Sequence, residues 1–503
     1  MKKDEKGKEK LDCLLISPPS WYKEEDNIWK EVNSNFPPLG LADLAGFIRA
    51  KGFSIKILDC DIYAPSVESF RPLFIKEFFS KFSDIRVIGL TTLTCNIKKV
   101  YKLAEICKEF FPEAKVTVGG VHATFSTDEV IKNKNIDIAV IGEGEITLAE
   151  ILDKKNLEDI DGIMFKKRKG GKIFSFRTKP RQRIMNLDEM PMPAYDLLPI
   201  LKYQPAKGSY KKLPAMSMMT SRGCPGRCTF CSKTLGTLMF FKSAEKIFED
   251  IQYLIKNYGI RQIQFYDDTF TVNRQNVMKL CDLLLENKVD ISWTCFARVD
   301  YVDFEMLQKM KSAGCHQIMY GVENIDENVL RNINKKTNVE QVLNANKWTK
   351  KAGIESRLAF MVGNPGDNKE IIMKNVKFVN KLNPDLLIVN ITTPFPGTAM
   401  FEWAKNKNLI LTYDWDDYTL AKPVMRLEDL SADDIKELYK LMYRKFYFRP
   451  GYVIRKIAKI RSIDDVKILL SGVNALFSFF KPGNKQEPGR VFEGEEEKAV
   501  CVT

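Results

Sequence analysis

The sequence predicts an α/β protein: a doubly wound five-stranded parallel sheet, then six further β/α units, then a helical, basic C-terminal region. Two observations carry this prediction. Short runs rich in Ile, Leu and Val alternate with helical patterns five times over residues 12–155 and six times over 214–408. Between the two regions the alternation breaks, and Met190-Pro191-Met192-Pro193 closes the gap. At 503 residues the chain is long enough for two or three separate cores.

In the first region, strands are expected at 12–17, 53–58, 85–91, 115–119 and 136–141. Helical patterns fill the gaps, for example 39–51, stopped by Gly52, and 98–110. Residues 1–11 read as a disordered start. Open parallel sheets bind ligands beyond the carboxyl ends of their strands. There stand Ser17-Pro18-Pro19-Ser20, Thr91-Thr92-Leu93-Thr94, Gly119-Gly120-Val121-His122-Ala123-Thr124 and Gly142-Glu143-Gly144-Glu145. Small residues and hydroxyls at four loops leave room for a large, flat ligand approached by backbone. None spells G-x-G-x-x-G, so a dinucleotide site is poorly supported.

Residues 156–213 read as a linker. Its basic stretch 166–172 contains Gly170-Gly171, which suggests a hairpin.

The second region opens with Cys224-Pro225-Gly226-Arg227-Cys228-Thr229-Phe230-Cys231, a C-x3-C-x2-C spacing. Such a loop can wrap Cys224, Cys228 and Cys231 around one face of a [4Fe-4S] cluster, which is usually held by four cysteines. With no evident fourth ligand, one iron stays open to a small chelating molecule. A structural zinc site wants four ligands, often as two pairs, and there is no second pair. The other eight cysteines (Cys13, Cys60, Cys95, Cys107, Cys281, Cys295, Cys315 and Cys501) are scattered, and several fall in apolar patterns. That usage suits a reducing, cytoplasmic setting.

This motif resembles that of radical S-adenosylmethionine enzymes. The resemblance implies that S-adenosylmethionine chelates the open iron. It also implies that one-electron reduction, by a donor such as flavodoxin or ferredoxin, releases a 5′-deoxyadenosyl radical. It implies a partial (β/α)6 barrel over 214–408, whose strands are expected at 216–220, 262–266, 291–297, 317–321, 356–362 and 385–391, with helices such as 244–257 and 273–286. Active sites of β/α barrels lie at the carboxyl ends of the strands. Those ends carry Asp267-Asp268-Thr269-Phe270, Arg298, Gly321-Val322-Glu323-Asn324, Gly363-Asn364-Pro365-Gly366 and Thr393-Pro394-Phe395-Pro396-Gly397-Thr398. Carboxylates suit an amine and ribose hydroxyls, an arginine suits a carboxylate, and glycines let backbone approach adenine. Strand alternation turns Asp268 rather than Asp267 towards the ligand. By resemblance Glu323 meets the ribose, Arg298 a carboxylate, Phe230 shields the cluster or adenine, and Gly363 completes the S-adenosylmethionine site.

Gly119–Thr124 and Ile141-Gly142-Glu143-Gly144-Glu145, on a sheet ahead of the cysteines, resemble the cobalamin-binding domain of cobalamin-dependent members of this family. The implied cobalamin site is Ser17, Thr91, Thr92, Gly119, Gly120, His122, Gly142, Glu143 and Gly144. One departure stands out. The Asp-x-His-x-x-Gly motif that supplies a lower axial ligand in other cobalamin proteins is absent, and neither His122 nor His316 fits it. The chain is therefore expected to hold cobalamin without a histidine ligand. The C-terminal layout resembles the branch of the anaerobic Mg-protoporphyrin ester cyclase and the hopanoid-lipid enzymes.

The implied activity is abstraction of hydrogen from an unactivated carbon, with cobalamin-dependent C-methylation of a small, lipid-like or other apolar molecule as the leading outcome. The alternative is radical coupling, cyclisation, oxidation or reduction of a lipid or tetrapyrrole without methyl transfer. An iron–sulfur redox sensor is the rival from another class, but it would not need the strand-end motifs. A tRNA methylthiotransferase would need a further N-terminal cluster domain, and the isolated N-terminal cysteines argue against it.

Net charge is +13. Between Lys440 and Lys481 ten Lys or Arg face two Asp, a local +8, interleaved with Tyr443, Phe446, Tyr447, Phe448, Tyr452, Phe477, Phe479 and Phe480. Basic residues among bulky apolar ones suit an anionic membrane surface, so 440–481 is expected to make a peripheral membrane contact; the alternative is that its aromatics pack against the barrel and its charges face water. Nucleic acid is the weaker rival partner and none is expected. No run of about 18 apolar residues exists to cross a bilayer, and the opening mixed-charge run is no secretory signal. Residues 409–481 are expected to be helical, with Ser431 as an N-cap, and 482–503 to be a disordered tail.

Overall fold

The computed structural model describes residues 7–20, 34–206, 208–458 and 470. The first sheet holds β1 (Glu9–Ser17), β2 (Ile55–Asp59), β3 (Phe82–Thr92), β4 (Lys115–Gly120) and β5 (Ile138–Val140), all parallel, in the order β2-β1-β3-β4-β5. Side-chain alternation builds two cores. On β1, Leu14 and Ile16 join the core under the helix Ile97–Phe110, whereas Cys13 and Leu15 join the core under the helices Leu39–Ala50 and Glu145–Leu152.

Two strands more than expected belong to this sheet. β6 (Ile163–Lys169) and β7 (Lys172–Arg177) form an antiparallel hairpin, and β6 pairs with β5 in the register Ile138 to Phe165. The turn is Gly170-Gly171, with φ of +57° and +79°. The hairpin covers the open edge of β5, so the first part of the expected linker is part of the sheet.

The second sheet consists of β8 (Ala215–Met218), β11 (Gln262–Phe265), β12 (Ser292–Ala297), β13 (Cys315–Glu323), β14 (Glu355–Val362) and β15 (Leu386–Ile391). They are parallel and in sequence order, as a partial barrel requires. A two-stranded ribbon, β9 (Ser221–Arg222) with β10 (Phe240–Phe241), brackets the cysteine loop. Outward residues such as Ile263, Trp293, Ile318, Leu358 and Phe360 share one core with the surrounding helices.

The C-terminal helix Ala432–Tyr447 starts at a capping box of Ser431 and Asp434. It closes the free edge of β15. The Tyr443 hydroxyl accepts from Val389 N (3.0 Å) and donates to Val389 O (3.0 Å); Tyr447 treats Leu387 in the same way (3.1 and 2.7 Å). Arg449 and Arg455 then donate to Asn380 O, Asn383 O and Pro384 O at the end of the helix Lys369–Leu382. Cations at a helix C-terminus satisfy its orphan carbonyls and its dipole.

This corrects part of the membrane expectation. Tyr443, Phe446 and Tyr452 are buried against the barrel, Tyr447 is hydrogen-bonded to it, and two of the arginines are helix caps. Phe477, Phe479 and Phe480 lie outside the described residues. Phe448, Val453, Ile454 and Ile457 are exposed. Among the described residues no helix is long and apolar enough to cross a membrane.

Candidate functional site

The loop after β9 is pinched at its base. Asp267, fully buried, accepts from Thr220 N (2.8 Å), Thr220 Oγ1 (3.0 Å) and Ser221 Oγ (2.6 Å). Gly223 has φ +100°, and a Cβ there would stand 2.3 Å from Leu238 O, so this turn excludes any side chain. Cys224 N donates to Gly236 O (3.3 Å) and Thr229 N to Ile333 O (2.9 Å).

Within the loop an ideal Cβ on Gly226 would lie 3.4 Å from Cys224 Sγ, 3.9 Å from Cys228 Sγ and 3.3 Å from Arg298 Nη1. Cys231, solvent-exposed, is in electrostatic reach of both other thiols and of Asp268. Burial raises the Cys228 thiol, with Lys335 and Arg298 pulling against it. Among the described residues no His, Cys, Asp or Glu set is tight enough for a single metal ion. Two thiols flanking a bare glycine and a third in electrostatic reach of both, with cations beside them and no fourth ligand among the described residues, fit the larger face of a [4Fe-4S] cubane.

The expected S-adenosylmethionine residues surround this loop in different states. Asp268 is open to solvent beside Cys231, whereas Asp267 points inward. Arg298 is buried, and its fork is filled by Asp300 (2.9 and 2.8 Å), leaving Nη1 over Gly226. Glu323 sits at a bulge at the end of β13 with φ +65°, and Lys335 Nζ donates to its Oε1 at 3.0 Å. A Cβ on Gly321 would approach that carboxylate oxygen to 2.6 Å, so a side chain there would displace the Glu323 and Lys335 head groups. Gly363 turns its bare side to Ile435 of the C-terminal helix, 3.3 Å from the ideal Cβ, while its N donates to Asp367 (3.0 Å). The Phe230 ring packs with the cluster of Leu330, Ile333 and Met400 rather than standing free.

Sequence reasoning missed Lys335 and Asp367. Lys335 follows Glu323 by twelve residues, outside any strand end. Asp367, pushed up to about 7 by burial against four stabilising hydrogen bonds, accepts from Gly363 N, Asn364 N and Asn324 Nδ2 and so shapes the glycine loop. Its signal was present one residue beyond the Gly363–Gly366 string.

At the first sheet, Ser17, Thr91, Gly119, Gly120 and Gly142 stand partly open at the strand ends. Gly120, at φ +100°, has Thr92 O 2.7 Å from its ideal Cβ, and nothing lies within 4 Å of one on Gly142. A cradle of bare backbone fits a broad cofactor. Others are turned inward. Thr92 donates to Gly119 O and accepts from Ala123 N. Gly144 is backed by Leu44. His122 is fully buried, with Nδ1 3.2 Å from Thr94 Oγ1, Nε2 3.8 Å from Glu129 and its ring edge-on to Trp415. The imidazole is enclosed by protein rather than presented as an axial ligand.

Glu143 faces the other domain. Arg222, next to the cysteine loop, grips Glu143 at 3.1 Å and Glu145 at 2.6 Å, and Glu143 also accepts from Ile184 N (2.7 Å). Asp43, on the helix Leu39–Ala50, is pushed up to about 6 by burial despite Lys242 and Arg222 nearby. On the far side of the crevice, Phe125 packs against backbone at Gly397, 2.2 Å from its ideal Cβ, so the loops after β4 and β15 touch directly. Trp415 Nε1 donates to Glu129 (2.9 Å) and Lys98 meets Asp414 and Asp416, tying the C-terminal segment to the first sheet. The carboxyl ends of the two sheets are thereby held against one another.

Comparison with known proteins agrees with this geometry. The chain matches the B12 binding domain over residues 28–152 and the radical SAM superfamily over 218–379. It is 35% identical to an uncharacterized methyltransferase of Pyrococcus horikoshii, over 89% of this chain and 95% of that one. It is 25% identical to the hopanoid C-3 methylase of Methylococcus capsulatus, over 83% and 76%. The fold is shared with the radical S-adenosylmethionine methyltransferase TsrM of Kitasatospora setae, solved with cobalamin and a [4Fe-4S] cluster, at TM-score 0.63, 16% identity and coverage of 97% and 93%. The chain belongs to the cobalamin-dependent radical S-adenosylmethionine enzymes, whose cofactors are a [4Fe-4S] cluster, S-adenosylmethionine and cobalamin.

Proposed function

We propose that this enzyme methylates an unactivated carbon of a small, largely apolar, lipid-like molecule. The observation that carries this reading is the apposition of the two strand-end faces, through Arg222 with Glu143 and Glu145 on one side and Phe125 on Gly397 on the other. Such a crevice lets one substrate carbon be reached from both. When bound, the cluster with S-adenosylmethionine supplies a hydrogen-abstracting radical and cobalamin supplies a methyl group.

The chain's own residues divide the remaining work. Cys224, Cys228 and Cys231 hold the cluster. Arg298 and Lys335 place positive charge beside the thiolates, and Asp268, Glu323 and Gly363 form the S-adenosylmethionine surroundings. Thr91, Gly119, Gly120 and Gly142 give the cobalamin a backbone cradle without a histidine ligand. The lipid-like substrate is supported by apolar side chains around the crevice: Phe36 is edge-on to Tyr266 (5.4 Å), Tyr266 to Phe296 (5.1 Å), and Leu93 is exposed after β3. A peripheral membrane contact, through the exposed Phe448, Val453, Ile454 and Ile457, would bring such a substrate within reach. A flavodoxin or ferredoxin is the proposed electron donor.

The test is anaerobic reconstitution with iron, sulfide and cobalamin, then incubation with methyl-labelled S-adenosylmethionine, a reductant and a total lipid extract. The expected result is label on carbon in one lipid species, lost in the Cys224→Ala, Cys228→Ala, Cys231→Ala triple variant, and cobalamin retained by His122→Ala. 5′-Deoxyadenosine formed without label in any product would overturn methylation.

A further inference from the structure

Among the described residues, Arg357 on the inner face of the partial barrel is a cation with no ion-pair partner. On β14, Leu358 and Phe360 pack outward into the core and Ser356 bonds Asn346 outward, so Arg357 faces the lumen. Strand register sets its level. Phe296 lies opposite Met319, Met319 opposite Arg357 and Arg357 opposite Leu386, while Tyr266 touches the Phe296 ring. Arg357 therefore belongs to a layer walled by Tyr266, Phe296 and Met319.

The layer below is sealed. Gln264 donates to Ser209 O and Gln317 to Gly208 O, so the segment before β8 plugs the floor, and Glu355, the carboxylate of this layer, accepts from Gln317 (3.3 Å). The layer above, two residues along each strand and about 6–7 Å away, holds Gly321 and Ala359. Glu323 and Lys335 lie beyond it. Arg357 thus stands two layers deeper in the lumen than Glu323.

Its Nε is buried with no hydrogen-bond partner. No carboxylate pairs with the guanidinium among the described residues. Burial lowers its pKa, and the groups pulling the other way are the hydroxyls of Tyr266, Tyr447 and Tyr443. Arg357 is half-buried with its Nε sealed from solvent, and a partly desolvated cation without a counter-charge is costly, so folds retain one where a ligand completes it. A guanidinium's planar fork matches a carboxylate or a phosphate.

We infer that Arg357 receives an anionic end of the substrate, a carboxylate or a phosphate, while the apolar body lies along Tyr266, Phe296 and Met319. This rests on the proposed function in taking the lumen as part of the substrate path. The substrate is then an anionic amphiphile, oriented with its charge in the barrel and its reacting carbon nearer the mouth. Asn390, inward-facing two layers further out and with Oδ1 also unpartnered, lies along the same path.

The test is calorimetric titration of the reconstituted holoenzyme with octanoate, octyl phosphate and octanol as probes. Both anions, or one of them, are expected to bind more tightly than octanol, and the preferred anion identifies the headgroup. Arg357→Met is expected to weaken the anions about ten- to a hundredfold, the range for losing a hydrogen bond to a charged group, and to leave octanol unchanged. Arg357→Lys keeps the charge and is expected to recover part of the affinity, which keeps the test open should Arg357→Met fold poorly. Equal binding of anions and octanol by the wild type, or anion binding unaffected in both variants, would overturn the site. 5′-Deoxyadenosine formation without substrate separates the two readings. No anion selectivity in the wild type with labelled methyl transfer intact refutes only the anion site, and wild-type anion selectivity with no labelled methyl transfer refutes only the methylation.

Discussion

Arg222 reaches from the edge of the cysteine loop into the first sheet and closes on Glu145 at 2.6 Å. Its second nitrogen takes Glu143, and all three side chains are almost fully enclosed, at 11%, 6% and 6% exposure. One cation thus joins the loop that carries the cluster to the loop after β5. Arg222→Gln leaves Glu145 buried without its cation, and Glu143 with only Ile184 N and the more distant Arg183 (3.9 Å), which costs about 3–5 kcal/mol. Chemical denaturation should show that loss, and the triple variant with Glu143→Gln and Glu145→Gln should recover most of it. A triple variant no more stable than the single would remove the ion pairs from this account.

Lys335 is expected to act on S-adenosylmethionine through Glu323. Lys335→Met strands the Glu323 carboxylate in a buried, left-handed position. The S-adenosylmethionine Kd should rise about ten- to a hundredfold, with iron content unchanged, and Lys335→Arg should restore part of the affinity. Unaltered binding of S-adenosylmethionine would show the pair to be structural only.

Asp367 makes stability depend on pH. Burial raises its folded pKa to about 7, above the ordinary carboxyl value near 3.9 in the unfolded chain. Between these values the folded state holds the extra proton, so stability falls as pH rises from roughly 4 to 7. Asp267, raised to about 6 by the same cause, adds a slope of the same sign. Asp367→Asn should flatten part of the decline in thermal melts across that window. An identical slope in wild type and variant would contradict the assignment.

The membrane contact now has a narrower footprint than residues 440–481. Ile454→Glu with Ile457→Glu changes only exposed side chains, which are 66% and 54% accessible. This double variant should lose co-sedimentation with anionic vesicles while keeping its melting temperature. Sedimentation equal to wild type would return the helix Pro450–Ala458 to a packing role.

The sequence by itself determined the five parallel strands of the first sheet, the six of the second, the cysteine triad and the loops at the strand ends, but not that the hairpin of β6 and β7 extends the first sheet. Each depends on local spacing. A buried parallel strand must be an apolar run, a cluster loop must bring its thiols together within a few residues, and strand ends must be where the runs stop. It also separated Asp267 from Asp268, since alternation along a strand is local. What only the tertiary structure decided is which of these residues keep their polar groups for a ligand. Thr92, His122 and Glu143 read as cofactor residues, but their partners are Gly119 and Ala123, Thr94, and Arg222. Arg298 found its carboxylate two residues away in Asp300, a pairing that backbone direction permits and sequence does not announce. The aromatics after Lys440 read as a membrane face, and Tyr443 and Tyr447 became the hydrogen-bond partners of an open strand edge. Arg357 carried no signal at all within its apolar strand. Its meaning comes from the lack of a paired carboxylate among the described residues, with Glu355 one layer below bonded to Gln317, and that is set by five other strands converging on one lumen.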